Sequence, residues 1–198
     1  MIAMIGDGCV AIASDMRFGV QQQTIMCELD RIYSIHPKLY VGLSGLVTDM
    51  QTLHGKLQYK CKMYSLREER LIQPHVFSSM LSNMLYEKRF GPYFIEPLIA
   101  GLIEKSDGSH VPYISGMDLI GAPVSTNDFL VSGTASEQLF GVCEAMYKPN
   151  MSQEQLFETI SQCLLAAVDR DCLAGWGANV FIITKDGVTS RQLKSRKD

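Results

Sequence analysis

Apolar positions along this chain repeat with two different periods. Short runs rich in β-branched and other apolar residues flank three Asp-Gly pairs. Asp7-Gly8 separates Met1–Ile5 from Cys9–Ala13, Asp107-Gly108 separates Leu98–Ile103 from His110–Ile114, and Asp186-Gly187 separates Val180–Thr184 from Val188–Leu193. Aspartate and glycine tolerate the positive φ of a tight turn, so each arrangement predicts a β-hairpin. Further strands are predicted at Arg31–Ile35, Leu39–Ser44 and Phe129–Ser132.

Between the strands the period lengthens to that of a helix, in two pairs of stretches. The first puts Met50, Leu53, Leu57, Cys61 and Tyr64 on one stripe, with Thr48 and Gln51 spaced as a capping box. The second opens at Pro74, a favourable first helical residue, and carries Phe77, Met80, Leu81, Met84 and Leu85. The third follows Thr134 and Glu137, also spaced as a capping box, with Leu139, Val142, Cys143 and Met146. The fourth follows Ser152 and Gln155, with Leu156, Ile160, Leu164 and Val168, and Lys148-Pro149-Asn150 divides these last two. Strands, helix pair, strands, helix pair, strands is an α+β order. It predicts two antiparallel sheets face to face with a helix pair over each, in one domain spanning 1–198.

Composition narrows the function classes. With 46% hydrophobic and 20% charged residues the chain has a globular balance. A net charge of −3 provides no electrostatic footprint for nucleic acid or an anionic membrane, and the basic cluster from Arg191 to Lys197 reads as a solvated terminus. No apolar run approaches the ~20 residues of a membrane helix, and Met1–Gly6 lacks the basic and long apolar regions of a signal peptide. The cysteines (9, 27, 61, 143, 163, 172) form no CxxC pair and read as buried, reduced thiols, which predicts a cytoplasmic and nuclear address. Four scattered histidines make a poor zinc site. His36, His54, His75 and His110 are expected on a turn, a polar helix face, a helix start and a loop, all at the surface.

Three segments carry a likeness to a known family: Cys9-Val-Ala-Ile-Ala-Ser-Asp15-Met-Arg17-Phe-Gly19, Tyr40-Val-Gly-Leu-Ser-Gly45-Leu-Val-Thr-Asp49, and Asp169-Arg170-Asp171 with Gly175. In order and spacing they resemble the beta-type subunits of the 20S proteasome across nearly the whole chain. Leu85–Tyr93, Met117–Gly121, Val131–Thr134, Leu156–Ser161 and the closing Lys194, Arg196 and Asp198 resemble one non-catalytic type of such subunit. The resemblance implies the N-terminal-nucleophile hydrolase fold, a sandwich layered α, β, β, α.

Catalysis in that fold requires a Thr, Ser or Cys as first residue of the mature chain, with its own α-amine as base. Counting back from Asp15, the resemblance puts the nucleophile two residues before Met1, and processing within Met1–Gly8 would expose only Met, Ile, Ala, Gly or Asp. Asp15, Gly45, Ser132 and Asp171 match the family's active-site aspartate, oxyanion glycine, serine and second aspartate. The family lysine falls on Arg31, which stays charged at any working pH, and the late serine falls on Ala174. These matches imply a vestigial site and no enzyme activity. Read without the family, Asp15 and Arg17 suit a turn-stabilising pair, Gly45 a close-packing glycine, and Asp171 a helix-exit residue. Ser132 is expected to cap the third helix in preference to Thr134. Cys9 reads as a buried strand thiol.

The resemblance also implies partners: other beta subunits in a seven-membered ring, an opposing beta ring and alpha subunits. Asp118 matches a family acid facing the neighbouring subunit's substrate channel; an exposed strand-end aspartate is the plain alternative. No cofactor is required. The resemblance does imply a structural magnesium at a subunit interface, held at Val168, Asp171 and Ala174 with a carboxylate of Asp198, and all-oxygen donors suit such a hard cation. A frayed C-terminus is the alternative there. Rival readings are a free-standing amidohydrolase of the same fold and an alpha-type ring subunit, which would carry an extra helix before its first strand.

Overall fold

The computed structural model describes residues 1–197. The elements run β1 (Ile2–Ile5), β2 (Val10–Asp15), β3 (Phe18–Val20), β4 (Gln23–Met26), β5 (Ile32–His36), β6 (Leu39–Gly45), α1 (Val47–Glu68) and α2 (Pro74–Tyr86). They continue β7 (Ile95–Glu104), β8 (His110–Met117), β9 (Pro123–Thr126), β10 (Phe129–Val131), α3 (Ser136–Met146), α4 (Gln153–Val168), β11 (Ala178–Thr184) and β12 (Gly187–Leu193). All three Asp-Gly pairs fall at the turns that join paired antiparallel strands, β1–β2, β7–β8 and β11–β12, with Gly187 already the first residue of β12.

Two five-stranded antiparallel sheets result, ordered β10-β1-β2-β11-β12 and β5-β6-β7-β8-β9. Side-chain parity divides each strand between two partners. Ile2 and Met4 of β1, Ala11 and Ala13 of β2, and Val180 and Ile182 of β11 pack with Leu139, Cys143, Leu156, Ile160 and Leu164 of α3 and α4. Small residues at 11 and 13 let α4 lie close over β2. On the second sheet Leu39, Val41, Leu43 and Ile99 pack with Leu53, Leu57, Phe77 and Leu81 of α1 and α2. The opposite parity (Ala3, Val10, Ile12, Leu98, Ala100, Leu102 and Ile114) forms a third cluster drawing on both sheets. β2 is buried along its whole length because both its faces are covered.

A two-stranded sheet, β3–β4, and the edge strand β9 had no counterpart among the predicted strands. The β3–β4 turn uses Gln21 at φ 51 in place of the glycine or Asp-Gly signal, and β4 is largely exposed, so no apolar alternation marks it. In β9 the proline at 123 is tolerated because the strand has a free edge.

Helix stripes fall where the spacing puts them, except that Met146 of α3 is substantially exposed. The starts of the helices are less regular. α4 has the capping box, Ser152 with Gln155, and α2 opens on Pro74. The other two boxes do not form. α1 begins at Val47 with Leu46 as N-cap and no side-chain cap, and α3 begins at Ser136 with Ala135 as N-cap. The Leu46 amide donates to the Phe94 carbonyl at 2.8 Å, and Asp49 Oδ2 accepts the Phe94 amide at 2.9 Å. Phe94, the residue before β7, therefore pins the start of α1 in place of a cap.

Candidate functional site

Three strand ends and one loop converge on one cleft of about 760 Å³. Asp15 comes from the end of β2, Arg31 from just before β5, Gly45 from the end of β6, and Ala174 from the loop after α4, and all four line it. Ser132 and Asp171 stand behind the lining and reach it through Ser44 and Thr134. The six matched positions thus gather at one place although Asp15 and Ala174 stand 159 positions apart along the sequence.

On one wall, Arg31 Nε lies 3.3 Å from Asp15 Oδ1. That is close enough for an ion pair but not aligned as a hydrogen bond. A terminal nitrogen of Arg31 donates to the Arg17 carbonyl. Asp15 Oδ2 accepts the amides of Arg17 and Gly175, each at 3.3 Å. Arg17 is itself buried: Nε donates to Thr24 Oγ1 at 2.8 Å and its terminal nitrogens to the carbonyls of Leu173 (2.9 Å) and Gln21 (3.1 Å). The expected Asp15–Arg17 turn pair is therefore an amide-to-carboxylate bond, and the charge partner of Asp15 is Arg31.

The other wall is built from hydroxyls. Ser44 Oγ and Ser132 Oγ are 2.6 Å apart, and both donate toward the Glu96 carbonyl, at 3.1 and 3.0 Å. Ser132 Oγ also lies 3.3 Å from Glu96 Oε2. Ser132 does not cap α3, contrary to expectation, because its hydroxyl is committed to this inter-strand stitch. Thr134 does not cap it either: Thr134 Oγ1 donates to Asp171 Oδ2 at 2.5 Å, while Asp171 Oδ1 accepts the Leu173 amide at 2.9 Å. Asp171 shapes the exit of α4, as expected. Gly45 sits at φ 121, and a β-carbon there would overlap the Phe94 carbonyl oxygen. Close backbone packing makes it glycine.

Ser44 and Glu96 escaped sequence reasoning. One signal was available: in β6, Leu39, Val41 and Leu43 share the helix-facing parity, so Ser44 falls on the face toward the other sheet and needs a partner.

Chemically the cleft offers little. Its lining contains no histidine and no lysine among the described residues. Arg31 cannot release a proton at working pH. The two serine protons are shared among each other, the Glu96 carbonyl and the Glu96 carboxylate.

Asp118 follows β8 and is exposed. Its Oδ1 accepts the amides of Ile120 (3.1 Å) and Ala122 (2.8 Å), an arrangement that organises the turn into β9. Gly121 completes that turn, its carbonyl accepting from Ser82 Oγ of α2 at 2.6 Å. Leu119, the next residue, does line the cleft.

For the cation site, the Val168 carbonyl accepts the Asp171 amide at 3.1 Å, and both carboxylate oxygens of Asp171 are engaged as above. Asp198 lies outside the described residues.

Other expectations need correction. His36 and His110 belong to strands β5 and β8. His36 is half-buried: Nε2 meets the Ile72 carbonyl at 2.9 Å, and Nδ1 accepts the Lys38 amide at 3.2 Å. Burial holds its imidazole below the usual value, against the opposing pull of the Ile72 carbonyl. Cys9 is buried just ahead of β2, where burial pushes its thiol up. Cys27 is only half-buried and Cys172 is exposed, so the buried-thiol reading fails for those two. No helix is long and apolar enough to cross a membrane.

Residues 1–183 match the family model described as proteasome subunit, and the chain belongs to that family. Its relatives carry a more specific description. It is 58% identical over 197 residues to the proteasome subunit beta type-3 of Dictyostelium discoideum, with 100% of this chain and 95% of that protein covered. The proteins of the same description from Picea mariana and Drosophila melanogaster are 55% and 49% identical over 198 residues, at the same coverage. The subunit type that Leu85–Tyr93 and Met117–Gly121 resemble is this beta type-3.

Proposed function

We propose that this chain is a non-catalytic beta subunit of the 20S proteasome core, a threonine-type protease assembly, in the position of the beta type-3 subunit. One observation carries the catalytic silence. Where the family has a lysine that eases proton transfer, Arg31 stands permanently charged, tied to Asp15 and to the Arg17 carbonyl. Ala174 in the place of the serine agrees with it.

In this reading the two sheets and their covering helix pairs are the four-layer αββα sandwich of the N-terminal-nucleophile type, as one domain. The chain takes its place in a seven-membered beta ring, against an opposing beta ring and alpha subunits, in cytoplasm and nucleus. It walls the proteolytic chamber and holds its catalytic neighbours in register. Asp118 sets the turn that carries Leu119 and borders a neighbour's substrate channel. The carbonyls of Val168, Asp171 and Ala174 would offer a hard oxygen set to a structural magnesium, with Asp198 as carboxylate donor.

Reconstitution of the particle tests this reading. Withholding the chain should prevent assembled particles from forming. Asp15→Asn with Ser132→Ala should leave each peptidase activity, counted per assembled particle, unchanged. Loss of one whole peptidase activity in that variant would contradict the proposal.

A further inference from the structure

The fold treats its three Asp-Gly pairs unequally. In each, an exposed aspartate precedes an exposed glycine. A glycine nitrogen has no β-carbon beside it to hinder attack on the preceding carboxyl, so all three pairs are reactive in principle. The attacking residue is the same throughout, and differences between the pairs come from the fold.

At Asp107-Gly108 both reacting groups are occupied. The Ser109 hydroxyl donates to Asp107 Oδ1 at 2.6 Å and the Ser109 amide at 2.8 Å, bonds that hold this carboxyl below its usual value. The Gly108 amide donates to the Lys105 carbonyl at 3.0 Å. At Asp186-Gly187 the glycine already belongs to the ladder. It pairs with Thr184, whose Oγ1 donates to the Gly187 carbonyl at 2.9 Å. Its nitrogen cannot turn onto Asp186 without opening the end of β11–β12.

Asp7-Gly8 is different. Ile5 pairs with Val10, so residues 6–9 form a longer connection. The Gly6 amide donates to the Cys9 carbonyl at 2.9 Å and the Asp7 amide to the Met151 carbonyl at 2.8 Å. Among the described residues, neither the Asp7 carboxylate nor the Gly8 amide has a hydrogen-bond partner. Gly8 sits at φ 62, and no atom beyond its chain neighbours lies within 4 Å of where a β-carbon would stand. The two groups are adjacent and unencumbered, which is what an intramolecular reaction needs.

We infer that Asp7-Gly8 is a site of spontaneous isoaspartate formation, where this chain becomes a substrate for a protein isoaspartyl methyltransferase. The Gly8 nitrogen bonds to Asp7 Cγ, and its proton leaves with the hydroxyl of the protonated carboxyl as water. A succinimide ring results. Water then adds at the Asp7 main-chain carbonyl and breaks its bond to the Gly8 nitrogen. The chain is left joined through Cγ, with a free carboxylate on the Asp7 α-carbon. Water is lost and regained, so nothing is oxidised or reduced. The new backbone is one methylene longer, in a turn tied to the Met151 carbonyl just ahead of α4. The inference does not depend on the silence of the Asp15 cleft, and the two fail separately.

Ageing of the assembled particle in neutral buffer tests it, with isoaspartate located by peptide mass spectrometry and counted by enzymatic transfer of a labelled methyl group. Position 7 should accumulate at least tenfold more isoaspartate than position 107 or 186. In chain unfolded by urea, the three positions should come within a few-fold of one another. Gly8→Ala should lower the yield at position 7 at least tenfold. Asp7→Asn forms the same ring by losing ammonia and should raise that yield, which keeps the test readable if Gly8→Ala disturbs the turn. Equal isoaspartate at the three positions of the folded particle, an excess at 107 or 186, none at 7 in either the parent or Asp7→Asn, or a preference for 7 that survives unfolding would overturn the inference.

Discussion

The two walls of the cleft have met opposite fates. The serine wall, Ser44, Gly45 and Ser132, keeps its family matches at 45 and 132, and every polar atom of those side chains has a packing or hydrogen-bonding task. Gly45 has no room for a β-carbon, and the two hydroxyls stitch β6 to the residue after β10 over the Glu96 carbonyl. The charged wall keeps Asp15, which organises Arg17, Gly175 and Arg31, yet carries arginine in the lysine's place and alanine in the serine's. In the proposed reading, the matched positions that hold backbone together are kept, and the two that the resemblance assigns to proton transfer, Arg31 and Ala174, differ. Retention of a catalytic-looking residue is therefore poor evidence of catalysis when the same residue holds backbone together.

Substitutions can break this contrast. Gly45→Ala should do the most damage, because it combines a left-handed φ with overlap on the Phe94 oxygen. A loss of more than about 4 kcal/mol in denaturant unfolding is expected. Asp15→Ala comes next: it strands two amides and a largely buried guanidinium, at a cost of about 3 kcal/mol in the same measurement. Ser132→Ala leaves Ser44 still bonded to Glu96 and should cost only about 1 kcal/mol. If Ser132→Ala proved costlier than Asp15→Ala, Asp15 would hold less of the fold than its bonds imply.

The smallest effect lies outside both walls. His36 has a folded pKa lowered from its ordinary 6.5 by burial. A lowered value means that the unfolded chain takes up the proton more readily. The stability His36 contributes is present above about 6.5 and fades as the pH falls through its folded value. His36→Gln should flatten that decline, as read from thermal melts between about pH 7 and pH 5.

What the sequence discloses follows the range of the interactions involved. Hairpins at Asp7-Gly8, Asp107-Gly108 and Asp186-Gly187 are local, and so is the Ser152–Gln155 box, so both can be read directly. The starts of α1 and α3 cannot, because Phe94 fixes Leu46 and Asp49 at the head of α1 and Asp171 takes the Thr134 hydroxyl. The same reason hides half the cleft: Ser44 and Ser132 meet across 88 residues. Arg31 and Ala174 were legible through family resemblance, whereas the bonds that hold Arg31 in place required coordinates. The β3–β4 hairpin was hidden by a glutamine doing the work of a glycine.

The most direct measurement is the intact mass of each chain after the assembled particle is treated with an electrophilic peptide probe. The catalytic neighbours should gain the mass of the probe while this chain's mass stays unchanged. A stoichiometric adduct on this chain, lost on Asp15→Asn, would show a working nucleophile beside Arg31 and contradict the account.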